Sequence, residues 1–327
     1  MTGTSVRELI QQVRHGSVRA AGRLISLIED EPSRLPEMLK GAADWPQPEL
    51  TLGVTGAPGV GKSTLIDGLV QRWREAEPEW MIGIVAVDPS SMFSGGALLG
   101  DRVRMMRHAT DPKVFIRSLG NRGHLGGLTL GIHGTLCVLG LLGCRVVMLE
   151  TVGVGQSEIE VSGVADLTIV ILAPGQGDGI QMIKAGLLET ADIVVVNQAD
   201  REGADRLLSE LKATLELTQA RRHGLPPDVY TTVAASSEGV EELRTGVEGR
   251  AKTLASLLEE RRRDALYDEV RQAILDAARR RLEQGLQQAG DLRPQIDRLL
   301  DGKATIDELV DEMLEPGLYS RQRKRPK

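Results

Sequence analysis

Leu50-Thr51-Leu52-Gly53-Val54-Thr55-Gly56-Ala57-Pro58-Gly59-Val60-Gly61-Lys62-Ser63-Thr64 is the stretch on which the reading of this chain turns. An apolar, β-branched run ends in a turn of the form G-x-x-x-x-G-K-S, and Leu65, Ile66, Leu69, Val70 and Trp73 then recur at helical spacing. Strand, glycine-rich turn and helix, in that order, are the context that makes this pattern a P-loop. The glycines let successive N–H groups aim inward at the positive end of a helix, which makes an anion nest. Lys62 is expected to reach the β- and γ-phosphates, and the Ser63 hydroxyl to complete a Mg²⁺ shell. Gly56, Ala57, Pro58, Gly59, Val60, Gly61, Lys62, Ser63 and Thr64 are therefore the candidate binders of a nucleoside triphosphate.

Outward from that turn, short apolar runs alternate with helical patterns. Strands are expected at residues 50–55, 81–87, 114–117, 145–150, 167–172, 193–197 and 229–233. Most are continuous apolar runs, as in strands covered by helices on both faces. The fold class is therefore α/β, a mainly parallel sheet flanked by helices. Before it, Leu9, Val13, Val18, Ala21, Leu24 and Leu27 form a helical stripe broken at Gly16, which reads as a helical hairpin. The arginines of this segment resemble a transit peptide, but Glu8 interrupts them. After about residue 240 the strands cease. Leu266, Val270, Ile274, Ala277, Ala278, Leu282 and Leu286 form a stripe that Ile296, Leu299 and Leu300 continue. These helices either pack on the parent domain or form a dimerisation arm. The tail carries five basic residues after Ser320 and reads as a solvated end.

Composition mostly excludes. The 327 residues, at ~150 per folding unit, suggest about two units. Three Trp, three Tyr and two Phe are too few for base-stacking platforms, and 40 basic against 46 acidic residues speak against a cationic nucleic-acid surface. Residues 125–144 are apolar enough to suggest a membrane span, but six glycines and His133 favour a loop feeding a buried helix. Cys137 and Cys144 are expected to be buried reduced thiols, which suits a cytoplasmic protein, rather than a zinc site with His133. No nucleic acid and no membrane are the expected partners.

Two further strand ends carry polar residues. Asn197-Gln198-Ala199-Asp200 resembles the N-K-x-D element of GTP-binding proteins, with Gln198 where lysine is usual. A carboxylate at Asp200 can accept from guanine N1–H and its 2-amino group, a donor pair that adenine lacks. Val233, Ala234 and Ala235 stand where such proteins place a base-contacting loop. Glu150-Thr151-Val152-Gly153 matches D-x-x-G with glutamate for aspartate. Gly153 is expected to offer its N–H to the γ-phosphate and Glu150 to hold a Mg²⁺-bound water. Asp88, ending the second strand, is another metal-side carboxylate.

Five stretches then become specific: Asp88-Pro89-Ser90-Ser91; Ser94-Gly95-Gly96-Ala97-Leu98-Leu99-Gly100-Asp101-Arg102; Arg122-Gly123-His124-Leu125-Gly126-Gly127; Glu150-Thr151-Val152-Gly153-Val154-Gly155-Gln156-Ser157-Glu158; and Pro174-Gly175-Gln176-Gly177-Asp178. Together they resemble the MeaB/ArgK-type GTPases, the methylmalonyl-CoA mutase-associated G proteins, over residues 4–315. The resemblance implies a GTPase that serves as chaperone to an adenosylcobalamin-dependent acyl-CoA mutase, coupling GTP binding and hydrolysis to cofactor loading and protection. It implies GTP or GDP as ligand, Mg²⁺, and a homodimer formed through the carboxy-terminal helices. It adds Asp101 to Ser63, Asp88 and Glu150 on the metal side, places Lys62, Glu150 and Asp101 in the catalytic set, and makes residues 175–184 a further switch. No D-x-H-x-x-G is present, so the usual lower-ligand motif for cobalamin is missing. The expected organisation is a helical extension at 1–47, a P-loop GTPase domain at 48–245, a helical arm at 246–315 and a basic tail at 316–327. Gly131, Ile132, His133 and Gly134 depart from the charged residues the family usually carries there, read as drift on a helix face. An ATP-dependent kinase of the amino-acid transport type and a nucleotide-independent mutase scaffold are the alternatives.

Overall fold

The structure, a computed structural model, describes residues 5–30, 45–88, 106–108, 110–120, 127–151, 161–175, 187–218, 222–263, 271, 275, 279, 283, 292–306, 308 and 309. The chain divides into two compact units, 1–263 and 264–327.

The first unit opens with α1 (Val6–Arg14) and α2 (Val18–Asp30). Ser5 and Glu8 close a reciprocal capping box at the start of α1: Glu8 N–H donates to Ser5 Oγ, and Ser5 N–H to the Glu8 carboxylate. The S-x-x-E spacing, with apolar residues at Leu9 and Val13, makes this a folded hairpin, as expected.

Seven strands follow: β1 (Leu50–Gly56), β2 (Met81–Asp88), β3 (Val114–Gly120), β4 (Cys144–Thr151), β5 (Leu167–Leu172), β6 (Ile193–Asn197) and β7 (Asp228–Thr232). They form one sheet in the order β3-β2-β4-β1-β5-β6-β7, with every pairing parallel. Parallel neighbours need crossovers, and three of these carry the helices α3 (Lys62–Ala76), α4 (Gly127–Leu142) and α5 (Ala204–Thr218), while α6 (Val240–Thr253) follows the last strand. Because side chains alternate along a strand, β2 sends Ile82 and Ile84 to one face and Val85 and Val87 reach the other. On the first face lie α3 and α6, with Leu65, Ile66, Leu69, Trp73, Leu243 and Val247 fully or nearly fully buried. On the other lie α1, α2 and α4.

The apolar stretch expected to feed a buried helix is α4 itself, and no helix among the described residues is long and apolar enough to cross a membrane. The departure at 131–134 requires a correction. Ile132 is fully buried under the hairpin and His133 is half-buried, so this turn is packing surface rather than a drifting solvent face. Cys144 is buried and burial raises its thiol to about 12, but Cys137 is only half-buried. Among the described residues no group of three His, Cys, Asp or Glu side chains is placed to hold a metal ion.

The amino ends of the strands rest on buried charges. Asp166 and Asp192, each just before its strand, accept a neighbouring strand's N–H at 2.8 Å, from Thr51 and Thr168. Arg262 grips Asp166 with two bonds of 2.6 and 2.8 Å. Arg222 donates to Asp192 at 3.0 Å, to the carbonyls of Ser162, Ala165 and Thr190, and to the Thr168 hydroxyl. The second unit includes α7 (Arg293–Leu300), on which Ile296 and Leu300 are exposed.

Candidate nucleotide site

The P-loop lies at the carboxyl end of the central strand β1, where its glycines are geometrically required. Gly56 has φ +149°, and a Cβ there would stand 2.4 Å from the Ile171 carbonyl oxygen of β5. Gly61 has φ +96°, and a Cβ would stand 2.4 Å from Asn197 Nδ2. Neither position admits a side chain without moving the adjacent strand end. The chain then turns directly into α3, so the backbone N–H groups of its first turn point into the cradle of the loop.

Lys62 is buried, and its ammonium donates to the carbonyls of Gly56 (2.8 Å) and Ala57 (3.1 Å). The cation is thus held inside the curl of the loop. Ser63 Oγ donates to Glu150 Oε1 at 2.6 Å. Strand order explains that contact: β4 lies directly beside β1, so the end of β4 reaches the first turn of α3. Thr151 fastens this edge, its hydroxyl donating to Thr55 Oγ1 at 3.2 Å. The hydroxyl and the carboxylate are hard oxygen donors held side by side. That set fits Mg²⁺, which takes one or two protein oxygens and fills its octahedron with phosphate oxygens and waters.

The other wall is built of amides. Asn197, 2% exposed at the end of β6, donates through Nδ2 to the Val60 carbonyl at 2.8 Å. Its Oδ1 accepts from the Thr232 hydroxyl (2.9 Å) and from Ala234 N–H (3.1 Å). One side chain therefore joins the P-loop to the loop after β7. Gln198, in a left-handed conformation at φ +58°, donates through Nε2 to the Gly59 carbonyl at 3.2 Å. Two consecutive carbonyls of the P-loop are held by two consecutive side-chain amides. Beyond them Asp200 is exposed and makes no hydrogen bond or ion pair among the described residues.

The structure thus brings together Gly56, Ala57, Gly59, Val60, Gly61, Lys62, Ser63, Glu150 and Asn197, with Ala234 attached through Asn197. Pro58 and Thr64 are exposed on the same loop and helix. Val233 is tied back to Glu238, and Ala235 is exposed beside it. Asp88 ends β2, with its side chain outside the described residues. Asp101, Gly153 and residues 176–184 of the expected further switch also lie outside them. Sequence reasoning missed Thr232 and the tether role of Gln198. The first had one available signal, a hydroxyl at the end of the next strand in the chain after a polar strand terminus; the second had none beyond being polar.

The family model described as "Methylmalonyl Co-A mutase-associated GTPase MeaB" matches residues 21–287. A protein of Pyrococcus horikoshii is 40% identical over 315 residues, covering 94% of this chain and 98% of that protein. GTPase ArgK of Escherichia coli is 33% identical over 247 residues, 73% of this chain and 74% of the other. The mitochondrial methylmalonic aciduria type A homolog of Caenorhabditis elegans is 34% identical over 230 residues, 66% of this chain and 55% of that protein. Among solved structures, the crystal structure of an LAO/AO transport system kinase superposes with TM-score 0.66 at 22% identity, over 96% of this chain and 97% of the other. That likeness is one of fold, the P-loop α/β sheet.

Proposed function

The chain belongs to the MeaB family of methylmalonyl-CoA mutase-associated GTPases, and from that membership we propose that it binds and hydrolyses GTP in support of an adenosylcobalamin-dependent acyl-CoA mutase. The observation that carries the reading is the three-way junction at the end of β1: the glycine cradle, the Ser63–Glu150 pair and the Asn197 tie to the loop after β7.

Each part has a role in this reading. The N–H groups of residues 59–64 and the Lys62 ammonium hold the phosphates and balance the charge that builds up during transfer. Ser63 and Glu150 would hold Mg²⁺, which would supply neutralisation of the phosphate charge. Asp200, exposed and without a partner among the described residues, accepts from the guanine edge, which adenine cannot match. Asp88, Asp101 and Gly153 complete the metal and γ-phosphate side. None of these groups is a general base for water, which suits slow hydrolysis until a partner completes the site. The partner is the mutase, and a homodimer forms through the carboxy-terminal helices, where Ile296 and Leu300 stand exposed one turn apart.

The decisive experiment competes GTP and ATP against fluorescent mant-GTP and follows phosphate release. GTP should displace the probe, and Lys62→Ala should abolish release. Preferential displacement by ATP would favour the kinase alternative and overturn the assignment of Asp200. Co-purification with a non-hydrolysable GTP analogue tests the mutase; binding indifferent to nucleotide would favour the scaffold.

A further inference from the structure

The first turn of α3 carries Lys62 and Ser63. Residues four apart on a helix lie on one face, so Asp67 sits on the Ser63 side of α3, one turn in. It is 6% exposed, and among the described residues its buried Oδ1 makes no hydrogen bond of full geometry, with a histidine nitrogen the group nearest to it. A short 3-10 turn at Met106–His108 brings a histidine against it. His108 Nε2 is 3.2 Å from the Asp67 carbonyl oxygen and 3.4 Å from Oδ1. Both are acceptors, so the hydrogen-bond network assigns the ring hydrogen to Nε2. Arg107 approaches Oδ2 at 3.5 Å from solvent, 72% exposed, and adds little.

A carboxylate in this position is costly for packing alone, because burial of a charge must be repaid by donors. Its neighbours along the same face of α3 are the cradle and the metal-facing serine. The helix itself transmits the contact: hydrogen-bonded turns are stiff, so holding Asp67 holds the azimuth of Ser63. We propose that Asp67 and His108 are positioning residues of the nucleotide site, which hold α3 so that the Ser63 hydroxyl faces Glu150 and a Mg²⁺ bound there. This rests on the GTPase reading above. Neither residue touches the nucleotide; both act through Ser63, as outer-shell partners act through the ligands of a metal.

Release of mant-GDP from the full chain, followed as Mg²⁺ is titrated, tests this without reference to turnover. His108→Ala should raise the Mg²⁺ concentration needed to slow release about tenfold. Release in EDTA should stay close to wild type, while removal of the donor beside buried Asp67 lowers stability to urea. His108→Gln, whose amide N–H can donate to the Asp67 carbonyl, should recover most of the metal response. An unchanged Mg²⁺ requirement in His108→Ala overturns the proposal. So does a joint loss of metal-free nucleotide affinity and stability in both variants, the mark of a purely structural contact. Wild-type release that ignores Mg²⁺ while mant-GDP still binds also overturns it and leaves nucleotide binding standing. Failure of the wild type to bind mant-GDP overturns the GTPase reading itself, and this inference with it.

Discussion

At the carboxyl ends of β1, β6 and β7 the loops are joined by neutral amides, Asn197 and Gln198 donating to Val60 and Gly59. At the amino ends of the same sheet the joints are ionic: Asp192 with Arg222, and Asp166 with Arg262. Charge is costly to bury, and a guanidinium or carboxylate used as a strut at the carboxyl end would bind or repel the phosphates expected there. A neutral strut fixes the loop and leaves the electrostatics to Lys62, Glu150 and the backbone. At the amino end Arg222 and Arg262 each pair with a buried carboxylate, of Asp192 and Asp166. The same sheet thus uses charge as foundation at one end and withholds it from the scaffold at the other.

The comparison breaks most readily at the foundation. Arg222→Ala leaves Asp192, with a fully buried side chain, without its closest cation. It should cost about 3–5 kcal/mol in urea unfolding, with mant-GDP affinity of the folded fraction nearly unchanged. Equal losses of stability and affinity would show that the two ends are not separable.

Asn197→Ala removes one partner each from Val60, Thr232 and Ala234. It should cost about 2–3 kcal/mol of stability and weaken mant-GDP binding about tenfold through loss of a preformed loop. A stability loss with unchanged affinity would remove the amide junction from the site.

Acid sharpens the contrast. Burial, aided by Arg261 and Arg222, lowers His223 from 6.5 to about 4. The unfolded chain therefore takes up this proton at a higher pH than the folded one. The stability that depends on neutral His223 is present above about pH 6.5 and is lost as pH falls towards 4. Asp192 is shifted the other way: burial raises it despite Arg222, so its own protonation favours the folded chain in acid and offsets part of the loss. Urea midpoints should fall between pH 6.5 and 5 in the wild type and fall less in His223→Gln. A flat wild-type profile would contradict a buried neutral ring.

The smallest effect belongs to Gln198, whose single half-exposed bond is worth about 0.5–1 kcal/mol. Gln198→Ala should weaken mant-GDP binding only about threefold. Gln198→Lys should strengthen it and make it salt-sensitive, because it places a cation at the cradle. Salt-independent binding in that variant would show that the side chain lies outside the field of the phosphates.

Local chemistry was readable wherever neighbours in sequence are also neighbours in space. The seven strands appear close to the residues where β-branched runs indicated them, because a strand buried on both faces has little choice but to be apolar. The amino-terminal hairpin was legible as the stripe of Leu9, Val13, Val18, Ala21, Leu24 and Leu27 broken at Gly16. His108 and Asp67 were not, because nothing in the spacing of residues on different elements says which helix face a later turn will meet. Ile132 and His133 misled for the same reason: a glycine-rich turn gives no sign that a hairpin far earlier in the chain covers it.

By itself the sequence determined that this chain builds a parallel α/β sheet with a phosphate cradle after its first strand. Periodicity and glycine placement are local constraints, satisfied within a turn or two. Only the tertiary structure decided that β4 lies beside β1, which hands Glu150 to Ser63, and that β6 and β7 follow in order, which lets Asn197 join two loops. Strand order is settled by which crossovers bury the most apolar surface across the whole sheet, a sum over distant residues that no single stretch contains.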